Sequence, residues 1–314
     1  MQPIKVGDIV ARISYGQDVL FKVQDITNDK GQTIVILKGI DVRLLADSPL
    51  EDLQVKSGYE LLQHRHQTVS ALKRSLSRVQ LQRQLAIERY TAGKRSSDRS
   101  EDEAGVEGEL FQLPPTILHL DGDREYEKKS EEMYKQLGLN AYAYWVPEKE
   151  QVNKVVALLR CHRPGILILT GHDAVVKGWS DMTDLKSYRN SQAFIAAVEA
   201  ARTYEPDRDN LIIFAGACQS YYEAILQAGA NFASAPKRVL IHVYDPIILA
   251  ERIAFTPIDQ TVSVQDVVRD TITGSSGIGG IDTRGCFRFG YPGPVESPLA
   301  ADSRGFCKSA RSPG

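Results

Sequence analysis

The chain has 314 residues, 42% hydrophobic and 25% charged, a composition typical of a globular protein with one large domain or two smaller ones. Its formal net charge of −2 gives no overall attraction to nucleic acid or to an anionic membrane. No apolar stretch reaches the roughly 18 residues of a membrane-spanning helix, and the N-terminus lacks the apolar core of a signal peptide. We therefore expect a cytoplasmic protein without membrane or nucleic-acid partners.

Residues 1–60 alternate apolar and polar side chains in short runs such as "DVLFKVQDI" and "QTIVILKGI", separated by turn residues. Four or five short strands in this length predict a small SH3-like β-barrel. Such barrels bind a partner or dock onto their own chain. The sequence leaves open which of these applies, and also whether a partner would be peptide or RNA.

Residues 61–112 are predicted to form a basic helix and a flexible linker. Apolar residues recur with a 3–4 spacing from Val69 to Val79, and Arg83 interrupts the stripe. The following "TAGKRSSDRSEDEAGVEGE" is polar and nearly free of large apolar residues. Such segments are preferred sites of proteolytic nicking, so the arginine-rich stretch is a candidate self-cleavage target.

From residue 113 the pattern is α/β. Five apolar runs, each followed by a helical pattern, predict a parallel sheet with helices on both faces over residues 113–292. They are "TILHLDGD", "NAYAYWV", "GILILTGHDA", "NLIIFAGAC" and "RVLIHVYDP" (238–246). The chain after residue 274 is rich in Gly, Pro and Ser and is predicted to be irregular, with a tail at residues 293–314.

Three predicted strand ends carry reactive or acidic residues, and in a parallel sheet such ends meet in one crevice. They are Asp121-Gly122-Asp123, Gly171-His172-Asp173 and Gly216-Ala217-Cys218. A cysteine that opens a helix is favoured as a thiolate by the helix N-terminus, and a nearby histidine can take its proton. A buried cysteine is more often a packing residue, but its pairing with His172 at the edge of one sheet favours a catalytic pair. The cysteines show no CxxC spacing, so neither a metal site nor a cofactor is expected.

An apolar block ending at His and a second ending at Ala-Cys resemble the caspase, legumain and gingipain group of cysteine peptidases, which implies a caspase-like sheet. That group commonly has Gly after the His, and here Asp173 follows His172. The N–H of Asp173 would then help to bind the oxyanion, with Gly171 and Ala217 beside it.

Longer matches cover nearly the whole chain. The strings "VGDIVARISYGQDVLFKV", "LTGHDA", "FAGACQSYYEAILQAGANFASAPKRVLIH" and "GIGGIDTRG" resemble the YabG family of peptidases from endospore-forming bacteria. The resemblance implies a self-processing cysteine peptidase with Cys218 as nucleophile and His172 as base. It also implies cleavage of spore coat and cortex-associated proteins near arginine, in the mother cell or at the spore coat.

A preference for arginine needs a carboxylate in the substrate pocket, because a buried guanidinium requires an acidic partner. Asp121 and Asp123 are the first candidates, and Asp173 is the next, either for this role or for orienting His172. Two rival functions remain open at this stage: a thiol hydrolase of another class, such as an amidotransferase, and a non-enzymatic spore-coat scaffold. The oligomeric state is left open.

Overall fold

The computed structural model describes residues 3–29, 32–97, 111–176, 178 and 181–290. The predicted tail at 293–314 and residues 98–110 of the predicted linker lie outside this part of the chain. Within it, no helix has the length and apolar character that a membrane crossing requires.

The N-terminal residues form an antiparallel sheet of five strands in the order β4-β3-β2-β1-β5. The strands are β1 (Ile9–Arg12), β2 (Phe21–Asp29), β3 (Gln32–Gly39), β4 (Leu45–Pro49) and β5 (Leu53–Val55). Alternate residues such as Val35 and Leu37 are fully buried in a small core of their own, as the period of a half-buried strand requires. The strand count agrees with the sequence, and the SH3-like barrel stays a prediction.

A single long helix, α1 (Gly58–Ser97), follows this sheet. It begins before the predicted stripe at Val69 and includes residues 91–97, which the sequence assigned to the flexible linker. Its start is capped reciprocally, because Glu60 accepts from the Ser57 N–H at 2.8 Å while Ser57 Oγ accepts from the Glu60 N–H at 3.3 Å. Val79 is buried, whereas Val69, at the other end of the predicted stripe, is 53% exposed. Arg83 fits into the packed face because its guanidinium lies 3.5 Å from the centre of the Phe255 ring.

The second half of the chain is built on a sheet of six strands in the order β13-β11-β10-β9-β7-β8. Five strands are parallel and β13 pairs antiparallel with β11 at one edge. These strands are β7 (Ile117–Asp121), β8 (Ala141–Trp145), β9 (Ile166–Thr170), β10 (Ile212–Ala215), β11 (Phe232–Ser234) and β13 (Ile278–Gly280). Two short antiparallel pairs lie outside the sheet: β6 (Phe111–Leu113) with β15 (Arg288–Gly290), and β12 (Thr261–Val262) with β14 (Thr283–Arg284).

Helices cover both faces of this sheet, which confirms the α/β class. Successive residues of β9 point to opposite faces: Ile166 and Ile168 pack in one core, Leu167 and Leu169 in the other. The first core includes α2 (Arg124–Leu137), α6 (Asp245–Ala254) and α7 (Val264–Asp270). The second includes α3 (Glu148–His162), α4 (Ser191–Tyr204) and α5 (Tyr222–Gln227).

Two sequence predictions about this half are wrong. The run 238–246 is not the fifth strand: residues 238–244 form a loop that leads into α6, and the strand is the shorter β11. Ile241 and Val243 are apolar because they are buried in that loop, so their alternation mimics a strand without sheet pairing. The segment after residue 274 is also less irregular than predicted, since it contains β13, β14 and β15.

Candidate active site

The three predicted strand ends lie side by side at one edge of the sheet. Asp121 pairs in register with Thr170 of β9, and Leu169 of β9 pairs with Ala215 of β10. The chain therefore leaves the sheet at Asp121, at Gly171-His172 and at Gly216-Cys218 on neighbouring strands. The convergence predicted from the sequence is confirmed.

Cys218 lies in a tight turn between β10 and α5. Gly216 adopts φ 112°, where a side chain would be strained, and Gln219 adopts φ 57°. The cysteine does not open α5, which begins four positions later at Tyr222. The sequence predicted that a helix N-terminus would stabilise the thiolate, but Cys218 is not at the start of α5.

The sulfur of Cys218 is fully buried. Its Sγ accepts a hydrogen bond from the Ile241 N–H at 3.3 Å and donates to the Ile241 carbonyl at 3.9 Å. Burial raises the thiol pKa to about 12, although backbone hydrogen bonds from Ile241 and Arg43 act in the opposite direction. In this conformation the group is a neutral thiol at physiological pH.

His172 is held by three hydrogen bonds. Its N–H donates to Glu148 Oε1 at 2.7 Å, its carbonyl accepts from Asn190 Nδ2 at 2.8 Å, and its Nε2 lies 2.9 Å from Asp123 Oδ2. The second ring nitrogen, Nδ1, is buried and has no hydrogen-bond partner. Among the described residues no hydrogen bond joins His172 to Cys218, whose sulfur is paired with Ile241. The imidazole thus has one nitrogen anchored and one available.

Asp123 does more than mark a strand end, because it is the N-cap of α2. Its Oδ1 accepts from the N–H groups of Glu125 and Tyr126 and from Lys38 Nζ at 2.7 Å, while its Oδ2 faces His172. Burial raises the pKa of this carboxyl, but the hydrogen bonds from His172 and Lys38 outweigh it and the net shift is downward. Asp123 is therefore an anion with one oxygen paired with the imidazole and the other with Lys38.

Asp173 is buried, and its carboxylate is hydrogen-bonded by the start of α4 and by the cysteine turn. It accepts from Ser191 Oγ at 2.5 Å, from Ser220 Oγ at 2.8 Å and from the Asn190 N–H at 2.8 Å. The Ser220 contact links the histidine loop to the cysteine turn. No hydrogen bond runs from this carboxylate to the imidazole within the described ranges, so the orienting contact comes from Asp123 instead.

The backbone around the pair supplies N–H donors. Within the described part of the chain, the N–H groups of Cys218 and Asp173 have no hydrogen-bond acceptor, whereas that of Ala217 donates to Ser220 Oγ at 2.9 Å. Gly171 has a packing role, since a side chain there would collide with the Glu148 carboxylate. Of the three residues predicted around the oxyanion, Ala217 has a paired N–H, whereas the N–H of Asp173 is free.

Asp121 is fully buried at the end of β7. It pairs with the guanidinium of Arg43, accepts from Thr170 Oγ1 at 3.1 Å and caps the Asp123 N–H at 2.9 Å. His119, on the same strand, is neutral, because burial lowers its pKa to about 3. The described residues contain no group of three or more His, Cys, Asp or Glu side chains placed to hold a metal ion.

Sequence reasoning missed four residues of this site. Lys38 and Arg43 come from the N-terminal sheet, which nothing in the pattern of strand ends connects to the second domain. Tyr126, whose ring centre lies 5.6 Å from that of His172, and Glu148 are at the starts of helices. The sequence feature that could have identified Tyr126 and Glu148 is a helix start directly after a strand end.

Comparisons with known proteins identify the family of the chain. The family model of YabG peptidase U57 matches residues 5–292. The sporulation-specific protease YabG of Bacillus subtilis (strain 168) is 40% identical over 289 residues, which cover 92% of this chain and 98% of that protein. No solved structure matches the chain. The extent of both sequence matches shows that the chain belongs to the YabG peptidase U57 family.

Proposed function

We propose that the chain is a sporulation-specific cysteine endopeptidase that cuts protein substrates after arginine, with Cys218 as nucleophile and His172 as general base. Membership of the YabG family supports a protease. The observation that carries the cysteine type is the state of the His172 ring: Nε2 is anchored on Asp123 at 2.9 Å and Nδ1 is buried without a partner. A buried, unpaired imidazole nitrogen beside a cysteine turn is poised to take a proton.

In the reaction, His172 Nδ1 takes the proton of the Cys218 thiol and the thiolate attacks the carbonyl carbon of the residue before the cut. The imidazolium is stabilised by the Asp123 carboxylate, which already accepts from Nε2. As the C–N bond breaks, the proton on Nδ1 passes to the leaving amine. A thioester between Cys218 and the substrate carbonyl remains, and water hydrolyses it with His172 again as base.

The oxyanion of each tetrahedral intermediate needs preorganised donors. The N–H groups of Cys218 and Asp173 are suited to this role, because both are unpaired in the described structure and flank the reacting pair. Asp173 thereby contributes its backbone, while its carboxylate holds the loop in place.

Arginine preference is assigned to Asp121 rather than to Asp123. Asp121 is fully buried and already binds a guanidinium, that of Arg43. Asp123 is committed to His172 and Lys38. A buried carboxylate at the same edge of the sheet as the nucleophile discriminates strongly for arginine, since a neutral substrate side chain would leave it unpaired.

The remaining parts of the proposal follow from the family. A caspase-like sheet accounts for a histidine and a cysteine at the ends of adjacent parallel strands. We assign residues 1–60 to an SH3-like barrel, 61–112 to the basic helix and linker, and 113–292 to the catalytic domain. The substrates are spore coat and cortex-associated proteins, the chain processes itself, and the enzyme acts in the mother cell.

The test compares three variants of the full-length chain on a peptide with a single arginine. Cys218→Ala and His172→Asn should abolish cleavage after that arginine, with circular dichroism confirming the fold. Cys286→Ala is the matched control, because Cys286 is the other free cysteine of the described residues and lies outside the site. It should cleave at the wild-type rate.

Two outcomes would reject the assignment. Cleavage that persists in Cys218→Ala would remove the nucleophile. Release of ammonia from glutamine without peptide cleavage would favour an amidotransferase-like thiol hydrolase.

A further inference from the structure

One segment of the N-terminal sheet lies directly on the proposed catalytic centre. The β3–β4 loop, residues 40–44, connects β3 to β4 and enters the space beyond the strand ends of the second domain. Val42 forms an antiparallel bridge with His242, next to the Ile241 that holds Cys218. The loop therefore packs against the segment that holds the nucleophile, and Cys218 is fully buried in this arrangement.

The loop is fastened by polar contacts on several sides. The Tyr126 hydroxyl donates toward the carbonyls of Gly39 at 2.6 Å and Val42 at 2.9 Å. The Val243 N–H donates to the Asp41 carbonyl at 2.9 Å, and Asp41 Oδ2 lies 2.7 Å from His64 Nε2 on α1. These contacts come from α2, α1 and the loop before α6, so the position of the β3–β4 loop is specified by the second domain and the long helix.

Arg43 is the residue of this loop that contacts the buried acid Asp121. Its side chain is fully buried, its guanidinium pairs with the equally buried Asp121, and its Nη2 donates to the Val243 carbonyl at 3.3 Å. Its Nε has no partner. The main chain of the same residue lies near the Cys218 sulfur and acts to lower the thiol pKa. One arginine thus has its guanidinium on the buried acid and its main chain at the nucleophile, the two contacts that a substrate arginine before the cut requires.

The space beside the loop is a groove that continues from this point. A cavity of about 640 Å³ is lined by Leu44 and the start of β4 on one side, and by Val175, Gln219 and Val239 of the second domain on the other. Gln219 follows the nucleophile directly. The groove beside the nucleophile is thus open, whereas Arg43 fills the position next to Asp121.

The filled position is not arranged for easy cleavage. The Leu44 N–H donates to the Val42 carbonyl at 2.9 Å and the Gly39 N–H donates to the Leu44 carbonyl at 2.8 Å. These bonds close a tight turn at Arg43, whereas a protease substrate is normally bound in an extended form. The turn therefore holds an arginine in the pocket without presenting it as a normal substrate.

We propose that Arg43 is an internal pseudosubstrate that occupies the arginine pocket and keeps the enzyme latent until the β3–β4 loop is displaced. This inference rests on the proposed function, because it takes Asp121 as the floor of the pocket and Cys218 as the nucleophile. A substrate can bind only to molecules in which the loop has moved, so the apparent affinity falls by the fraction that is open.

The experiment measures how fast an arginyl chloromethyl ketone labels Cys218 in the full-length chain, followed by intact mass and peptide mapping. Arg43→Gln should speed labelling by roughly tenfold or more, as expected if the open form is a minor population. Tyr126→Phe removes the hydroxyl that contacts the carbonyls of Gly39 and Val42. It keeps both Arg43 and Asp121, and it should also speed labelling. Arg269→Gln is the matched control, since Arg269 pairs with Asp266 at the surface of α7 and not with Asp121, and it should label at the wild-type rate.

The outcomes separate this inference from the proposed function. Equal labelling rates in wild type, Arg43→Gln and Tyr126→Phe would overturn latency and leave the peptidase site intact, since the reagent would have reached Cys218. No labelling of Cys218 in any folded variant would overturn the peptidase proposal itself, and latency with it. If Arg43→Gln does not fold, Tyr126→Phe decides alone.

Discussion

Asp123 Oδ2 and His172 Nε2 lie 2.9 Å apart, and this contact fixes the imidazole of the proposed catalytic pair. The same carboxylate caps α2 and binds Lys38 of the N-terminal sheet through its other oxygen. The orientation of His172 thus depends on the start of α2 and on Lys38 near the end of β3.

Asp123→Asn is expected to reduce kcat for arginyl peptides about 10²-fold or more, because the amide no longer stabilises the imidazolium. Asparagine is as good an N-cap as aspartate, so α2 and the thermal stability should be largely kept. Steady-state kinetics measure the effect. Glu125→Gln is the matched control, since Glu125 shares Lys38 but does not touch His172, and it should leave kcat near the wild-type value. A fully active Asp123→Asn would contradict the orienting role.

The buried pair of Arg43 and Asp121 should show strong coupling in protein stability. Removing either charge leaves the other buried and unpaired, which costs about 3–5 kcal/mol of unfolding free energy. Arg43→Gln with Asp121→Asn removes both charges, so the double variant should be at least as stable as either single variant. Denaturant unfolding of the four proteins measures the cycle, and additive losses would show that the two charges do not interact. The exposed Arg269–Asp266 pair should show much weaker coupling.

The strand ends were predictable from the sequence because continuous apolar runs stop at polar or small residues there. Cys218 and His172 were found in this way. The role of Asp123 was not, since it depends on where α2 begins and on Lys38, 85 positions away. Arg43 was not predictable either, because an arginine in a short-stranded segment is normally a surface residue, and only domain packing buries it. The false strand at 238–246 has the same origin: Ile241 and Val243 are apolar because they pack in the loop beside Cys218 and under the β3–β4 loop.

Alkylation of Cys218 by iodoacetamide should be slow in the native chain. Because burial raises the thiol pKa from 9.0 to about 12, the thiolate fraction at pH 8 is lowered about 10³-fold relative to an ordinary thiol. Quantitative peptide mass spectrometry of native and denatured protein measures the ratio. Because the slow rate comes from burial of the thiol, slow alkylation is expected of a latent enzyme and of a scaffold alike.

Cys286 provides the internal comparison for this measurement, because burial raises its pKa to about 12 as well. Arg43→Gln should accelerate the alkylation of Cys218 and leave that of Cys286 unchanged. Parallel acceleration of both cysteines would point to general unfolding instead. Native alkylation of Cys218 at the rate of the denatured chain would contradict its burial.

Glu251 on α6 should make the protein less stable as the pH rises towards neutrality. Both carboxylate oxygens are buried without a hydrogen-bond partner, and burial raises the pKa from 4.5 to about 7 even though Arg83 and Arg252 favour the charged form. Below pH 4.5 the group is protonated in both the folded and unfolded chains, so it has no effect. Between pH 4.5 and 7 the carboxyl ionises in the unfolded chain before it does so in the folded chain, so the free energy of unfolding falls as the pH rises.

Glu251→Gln should therefore raise the unfolding free energy at pH 8 by about 2–3 kcal/mol relative to wild type, and by little at pH 4.5. Urea unfolding at the two pH values measures the difference. Glu199→Gln, at an exposed position of α4, serves as the control and should give the same small change at both. A Glu251→Gln variant that gains nothing at pH 8 would show that Arg83 and Arg252 fully compensate the buried charge, and α1 would then anchor α6 through an ion pair as well as through the Arg83–Phe255 contact.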